Sequence, residues 1–336
     1  MNKQSVVGIV LAIIMIVASF GGGYLIGNNG SSNGDNSGDV YATISTYTSG
    51  DGYVTQNFTK EPERVACGCS TFLNIMLYFG LDDKIVGLFY DEEEVAPEYK
   101  DRYDKILKRI GSDRDFIGKT DSATVTSWEP DLIVGWASGF KETSLGSYKY
   151  WNNNNCNIWA LESMNGKMDI EAMVLDYINL GKIFHIEDKV DAFLKEFINK
   201  LGEVKGALSS NNVQVAMYDC LSSPTISEKG LWMYGKDTFA GVILDYIGVK
   251  NVFPDGGKIQ LASVIDKAED IDLLFFVCYG GCDHDTNYAS WTSNEILASC
   301  PAIKNNHYSD IWLSLAYGGD PAVLDFLDNI YEMFVI

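Results

Sequence analysis

The most regular apolar–polar pattern lies mid-chain, in "HIEDKVDAFLKEFINKLGEVKGAL". Val190, Phe193, Leu194, Phe197, Ile198, Leu201, Val204 and Leu208 recur at spacings of three and four, which lays one apolar stripe along a helix from Glu187 to Leu208. At 1.5 Å per residue that helix is about 33 Å long, enough to join two lobes as a single stiff connection. A shorter amphipathic helix, Asp169 to Leu180, leads into it and breaks near Gly181.

The pattern on either side of this helix repeats. "FLNIMLYFGLDDKIVG" (72–87) shares its plan with "FAGVILDYIGVKNVF" (239–253): an apolar helical run, a Gly (80 or 248) suited to a left-handed cap, then a short apolar strand. "SATVTSWEPDLIVGWASG" (122–139) likewise parallels "SVIDKAEDIDLLFFVCYGG" (263–281), with Asp131-Leu132 aligned on Asp272-Leu273. A continuous apolar run such as "DLLFFV" is the pattern of a strand buried on both faces of a parallel sheet. Strand–helix–strand units on both sides of the long helix predict an α/β protein of two Rossmann-like lobes with parallel sheets, joined by that helix, with a ligand cleft between them. The boundaries expected are 61–168 for the N-terminal lobe, 169–208 for the connecting helices and 209–336 for the C-terminal lobe.

Ahead of the lobes, Ser5 to Gly27 contains no charge and exceeds the ~20 apolar residues that cross a bilayer. Residues 1–27 are read as a membrane anchor, with a cleaved signal segment as the alternative. The single Lys3 before the run places the remainder outside the cytoplasm. The Gly-, Ser-, Asn- and Asp-rich stretch that follows predicts a flexible linker over 28–60.

A formal charge of −21 excludes nucleic acid as a partner, since phosphate binding runs on Lys and Arg. Seven cysteines (67, 69, 156, 220, 278, 282 and 300) allow up to three disulfides, and spacing alone assigns none. The chain lacks a P-loop, GxSxG, HExxH and a dinucleotide fingerprint, so no enzyme activity and no cofactor are expected.

Five segments carry a likeness in their order and spacing. They are "PERVACGCSTFLNIMLYFGLDDKIVGL", "EPDLIVGW", "NLGKIFHIEDKVDAFLKEFINKLGEVKGAL", "YGKDTFAGVILDYIGVKNVF" and "SLAYGGDPAVLDFLDNIYEMF", the last expected to be the closing strand and terminal helix. Through them the chain resembles the helical-backbone, periplasmic-binding-protein-like substrate-binding proteins of ABC importers, in the branch that captures iron–siderophores, haem and cobalamin. The resemblance implies a monomer that holds its ligand in a shallow cleft at the C-terminal ends of parallel strands and delivers it to an ABC permease. The loops at those ends would be 66–71, 136–141, 219–223, 279–285 and 316–319. It also implies one acidic docking residue per lobe. Asp237 in "GKDT" matches in the second lobe, with capping of a helix starting at Thr238 as its alternative role. In the first lobe Ala123 occupies the position, and Asp121 stands nearby as the substitute.

Trp136, Phe140, Tyr279 and Tyr317 lie on these loops, with Trp232 and Tyr234 just before the second lobe's helix. Such rings stack on macrocycles and chelate rings. Cys67, Cys69 and Ser70 are expected on the first loop, with Cys67-Gly68-Cys69 as a pocket-lining turn. Lys141 is the single cation in the five loops, which favours a neutral or weakly charged chelate (a hydroxamate or a corrinoid) over a polyanionic catecholate. Of three histidines, His284 alone falls on such a loop, too few for capture of a bare metal ion. The rival reading brings Cys67, Cys69, Cys278, Cys282 and His284 face to face, as a thiolate-ligated metal or iron–sulfur redox protein on the same scaffold. A ligand sensor that keeps the fold without importing anything is a third.

Overall fold

A computed structural model describes residues 39–89, 95, 97–110, 121–165, 168–208, 212–221, 226, 230–280 and 282–335. The expected anchor over 1–27 lies outside the described residues. Among these, no helix is long and apolar enough to cross a membrane.

The chain opens with an antiparallel hairpin, β1 (Ala42–Thr48) and β2 (Gly52–Phe58), where a linker was expected. Strict alternation in "ATISTYT" turns Ala42, Ile44, Thr46 and Thr48 inward. The polar inward positions find partners: Thr46 Oγ1 donates to the Ala160 carbonyl and accepts from the Ala160 N–H, 2.8 Å away. Composition pointed to a tether because these Ser and Thr residues are polar; docking against a sheet edge is what orders them.

The N-terminal lobe comprises β3 (Val65–Gly68), α1 (Ser70–Phe79), β4 (Ile85–Leu88), α2 (Lys100–Ile110), α3 (Ser122–Ser127), β5 (Leu132–Gly135), α4 (Tyr148–Asn153) and β6 (Asn157–Ala160). Its four strands are parallel in the order β4-β3-β5-β6. Two helices join the lobes, α5 (Ile170–Phe184) and α6 (Glu187–Leu208). The C-terminal lobe follows with β7 (Gln214–Asp219), β8 (Leu231–Met233), α7 (Phe239–Ile247), β9 (Lys250–Asn251), β10 (Gly257–Ile259), α8 (Leu261–Ile265), β11 (Leu273–Cys278), α9 (His284–Thr292), α10 (Pro301–Lys304), β12 (Tyr308–Trp312), α11 (Leu313–Tyr317) and α12 (Val323–Val335).

The second sheet departs from the all-parallel expectation. Its order is β10-β8-β7-β11-β12, with β9 sharing the β7 edge. Strands β7, β9, β11 and β12 are parallel, while β8 and β10 form an antiparallel ribbon. Strand β11 buries all six residues, as its unbroken apolar run required. The segment "SLAYGG" is helix α11 and its exit, and the closing strand is "YSDIW" before it.

Helix α6 has the expected bounds and buries Val190, Phe193, Leu194, Phe197, Leu201, Val204 and Leu208 against α5, α7 and α12. One apolar core thereby runs from Val65 in the first lobe through this stripe to Phe275 in the second. Gly80 and Gly248 take positive φ as helix caps. Gly181 does not break α5. The helix runs through it and ends at His185, which is in the left-handed conformation. A Cβ at Gly181 would stand 3.3 Å from Glu187 Cα, so glycine allows the close approach of α6 rather than a stop.

Candidate functional site

The two sheets meet at their C-terminal ends. Thr71, just past β3, donates through Oγ1 to the Ser314 carbonyl, just past β12, at 3.0 Å. Asn74 Nδ2 reaches Asp320 Oδ2 at 2.6 Å, and the Tyr177 hydroxyl donates to the Gly319 carbonyl at 2.9 Å. These buried contacts fix where the strand ends of one lobe lie against the other. Burial pushes the Asp320 carboxyl up to about 6, against the pull of Ala322, Asn74 and Ser314.

The Cys-Gly-Cys is a turn with a physical cause at each position. Cys67 ends the buried part of β3, fully covered. Gly68 is required because a Cβ there would lie 2.8 Å from both the Phe89 ring and the Val134 carbonyl. Cys69 is the extended residue that caps α1, and Ser70 begins the helix, itself buried. Burial holds the Cys67 thiol well above its ordinary value, so the side chain is a neutral packing group. The turn is at the expected place, but the Cys67 and Cys69 side chains point into the core instead of lining a pocket.

Phe140 is also a core residue. It is fully buried with Trp151, Leu145 and Ala137, and its carbonyl accepts from the Gly50 N–H of the hairpin turn at 3.2 Å. The hairpin that covers it was not visible as structure in the composition. Trp136 and Lys141 of the same loop remain exposed.

The second lobe assembles a compact group at the ends of β7, β8 and β11. Asp219, the last residue of β7, is almost fully buried. Its Oδ2 accepts from the Tyr234 hydroxyl at 2.7 Å, and its Oδ1 from the Leu221 N–H at 2.8 Å and the Tyr279 hydroxyl at 3.4 Å. Burial raises the Asp219 carboxyl, partly offset by these donors. Burial and the neighbouring Asp219 raise the Tyr234 hydroxyl, which therefore stays a donor. Trp232 pairs across the strands with Asp219, and the Tyr317 ring meets that of Tyr234 edge-on at 5.8 Å. Trp232, Tyr279 and Tyr317 are half-buried, and Tyr234 is buried beneath them. Sequence reading placed Asp219 at a loop start with no role; an acidic residue ending an apolar strand was the available signal.

His284 is the first residue of α9. Its Nδ1 lies 2.8 Å from Asp310 Oδ1 on β12, and its ring stacks with Tyr288 and Tyr308. Cys278 and Cys282 belong to the second lobe's separate core, whereas Cys67 and Cys69 belong to the core shared with the first. The facing-thiol arrangement is therefore corrected: among the described residues no three His, Cys, Asp or Glu side chains converge as a metal site.

Asp237 is exposed and does not cap α7; Thr238 does, its Oγ1 accepting from the Gly241 N–H at 3.1 Å. Asp121 caps α3 through the Thr124 N–H at 2.8 Å, and that bond holds its carboxyl below the usual range. Both carboxylates are exposed.

No family model matches the chain, and no curated protein is similar to it. Solved structures are. A periplasmic binding protein from Veillonella parvula superposes with a TM-score of 0.70 at 21% identity, covering 86% of this chain and 91% of its own. The chain has the fold of the two-lobe periplasmic binding proteins. An ABC-type Fe3+-hydroxamate transport protein from Saccharomonospora viridis gives a TM-score of 0.63 at 18% identity over 87% of this chain and 99% of that one. A petrobactin-binding protein from Bacillus subtilis gives 0.60 at 19% identity over 88% and 99%. The likeness read from the five sequence segments thus holds for the binding-protein fold, long connecting helix included.

Proposed function

We propose that this chain is the extracytoplasmic substrate-binding component of an ABC importer, a monomer that captures an iron–siderophore between its lobes and hands it to the permease. The observation that carries the reading is the half-buried aromatic surface of Trp232, Tyr279 and Tyr317, held over the buried Asp219 at the strand ends. Flat amphipathic rings stack on a chelate, and the Tyr279 hydroxyl ties one of them to Asp219. The solved proteins of this fold include several whose names give iron chelates as ligands.

Charge narrows the ligand. Among the described residues, Arg64 binds the Trp128 and Glu129 carbonyls at the start of β5, and Arg102 and Arg109 bind carbonyls between Leu77 and Ile85. All three lie at the opposite end of the N-terminal sheet from the aromatic surface. Lys141 on the 136–141 loop and Lys258, which pairs across the strands with Trp232, are left as exposed cations. A neutral or weakly charged ferric hydroxamate fits that surface better than a trianionic ferric catecholate; haem and cobalamin are the further ligands of the same reading. Asp237 and Asp121 supply exposed carboxylates for basic residues of the permease, and residues 1–27 supply the membrane anchor.

The test is a thermal-shift and absorbance screen of the purified chain against a ferric hydroxamate, a ferric catecholate, haem, cobalamin and ferric ion alone. The hydroxamate is expected to give the largest stabilisation, since a ligand at 100 times its Kd adds about 2.7 kcal/mol. If no chelate or tetrapyrrole shifts the transition, the binding reading fails.

A further inference from the structure

Cys220 follows β7 and Cys282 follows β11, 62 residues apart in sequence, yet their Sγ atoms lie 3.3 Å from one another. A single buried side chain fixes both backbones. Asn287 Oδ1 accepts from the Cys220 N–H at 2.9 Å, while its Nδ2 donates to the Cys282 carbonyl at 3.1 Å and the Val277 carbonyl at 3.2 Å. Cys282 is further tied to Tyr279 by reciprocal backbone bonds of 2.8 and 3.3 Å. With both main chains held, the sulfurs already stand within about 1.3 Å of the ~2.05 Å separation of a disulfide.

We propose that Cys220 and Cys282 are joined as a disulfide that staples the loop leaving β7 to the loop leaving β11. Asp219 precedes Cys220, and Tyr279 stands three residues before Cys282. The staple thus sets the spacing of the strand ends that carry the Asp219–Tyr234–Tyr279 group, and holds that surface ready for a ligand. The pairing rests on geometry alone; its persistence in the cell rests on the extracytoplasmic location proposed above.

The chemistry balances by exchange with an external disulfide such as oxidised glutathione. One cysteine thiolate attacks it, releasing one thiol and leaving a mixed disulfide. The second cysteine then displaces the remaining thiol as the Cys220–Cys282 bond forms. The two cysteines lose two electrons and two protons, which the released thiols carry away. Because Cys282 is fully covered and Cys220 nearly so in the folded chain, the exchange belongs to folding.

The test uses the full chain, expressed for export, unfolded directly into iodoacetamide without reductant, digested and mapped by mass spectrometry. The expected product is a Cys220–Cys282 cross-linked peptide that disappears on prior reduction. Reduction is also expected to lower Tm by about 5–10 °C, as for a long closed loop in a protein of this size. The Cys220→Ser, Cys282→Ser double variant should lose that sensitivity. Alkylation of both cysteines, or linkage of either to another partner such as Cys278, overturns the proposal. Neither result depends on a ligand, so a failed chelate screen and a failed staple are told apart.

Discussion

Two buried carboxyls should make this protein lose stability as pH rises from 5 to 8, the opposite of the usual acid sensitivity. Asp176 of α5 is fully buried, and its two oxygens accept from the Glu162 and Ser163 N–H groups at 2.8 and 2.9 Å. Burial outweighs those bonds and pushes its carboxyl up to about 7 from 3.8, while Asp320 is pushed up to about 6. A folded-state value above the unfolded one means the native chain binds more protons. The stabilisation is complete below the unfolded value and is lost as pH climbs through the folded one. At about 1.4 kcal/mol per pH interval, Asp176 forfeits about 3 kcal/mol between pH 5 and 7 and Asp320 about 1 kcal/mol between 5 and 6. Carboxyls held low, such as Asp82 and Asp121, act in the other direction but only below their ordinary value of 3.8, outside this window. Urea unfolding at pH 5, 6, 7 and 8 measures the curve. Asp176 and Asp320 together account for a loss of about 4 kcal/mol over that range, and Asp219, also raised by burial, adds in the same direction. Asp176→Asn, which cannot titrate, should remove about 3 kcal/mol of the loss. If Asp176→Asn retains the full pH dependence, the burial argument is wrong.

Three other perturbations separate fold from function. Phe197→Ala, at the centre of the stripe that runs between the lobes, should cost about 3–5 kcal/mol while unfolding stays a single transition, checked by urea denaturation. Tyr317→Ala and Trp232→Ala should each weaken chelate binding roughly tenfold, the ~1 kcal/mol scale of a ring–ring contact, with unchanged circular dichroism. Fluorescence titration reads this, and unaltered affinity in both would remove these rings from the site. Asp237→Arg should leave ligand affinity intact and reduce stimulation of permease ATPase activity in reconstituted vesicles; an equal loss of both would mean Asp237 does not dock.

Periodic features were legible because each is local. The apolar spacing of Val190 to Leu208 marks α6, the run "DLLFFV" marks β11, and Gly80 and Gly248 mark helix ends. Polar segments misled for a complementary reason. Nothing in "ATISTYT" says that Thr46 will meet both backbone groups of Ala160, 114 residues away, so a strand read as a tether. Gly181 read as a break because glycine serves two purposes, ending helices and letting a neighbour approach, and only the position of Glu187 tells which applies.

The site divides along the same line. Sequence alone determined the scaffold: two α/β lobes, the helix between them, and four of the five loops that end the buried strands, 316–319 being instead the end of α11. It also determined that those loops are rich in aromatics and poor in cations. Tertiary structure alone decided which side chains face outward, burying Cys67 and Phe140 and leaving Trp232, Tyr279 and Tyr317 half-covered. It also decided that Asp219 binds two tyrosines from other strands and that Cys220 meets Cys282. Strand and helix periodicity is written in neighbours a few residues apart, whereas side-chain partners are set by the packing of elements tens of residues away, where no local pattern reaches.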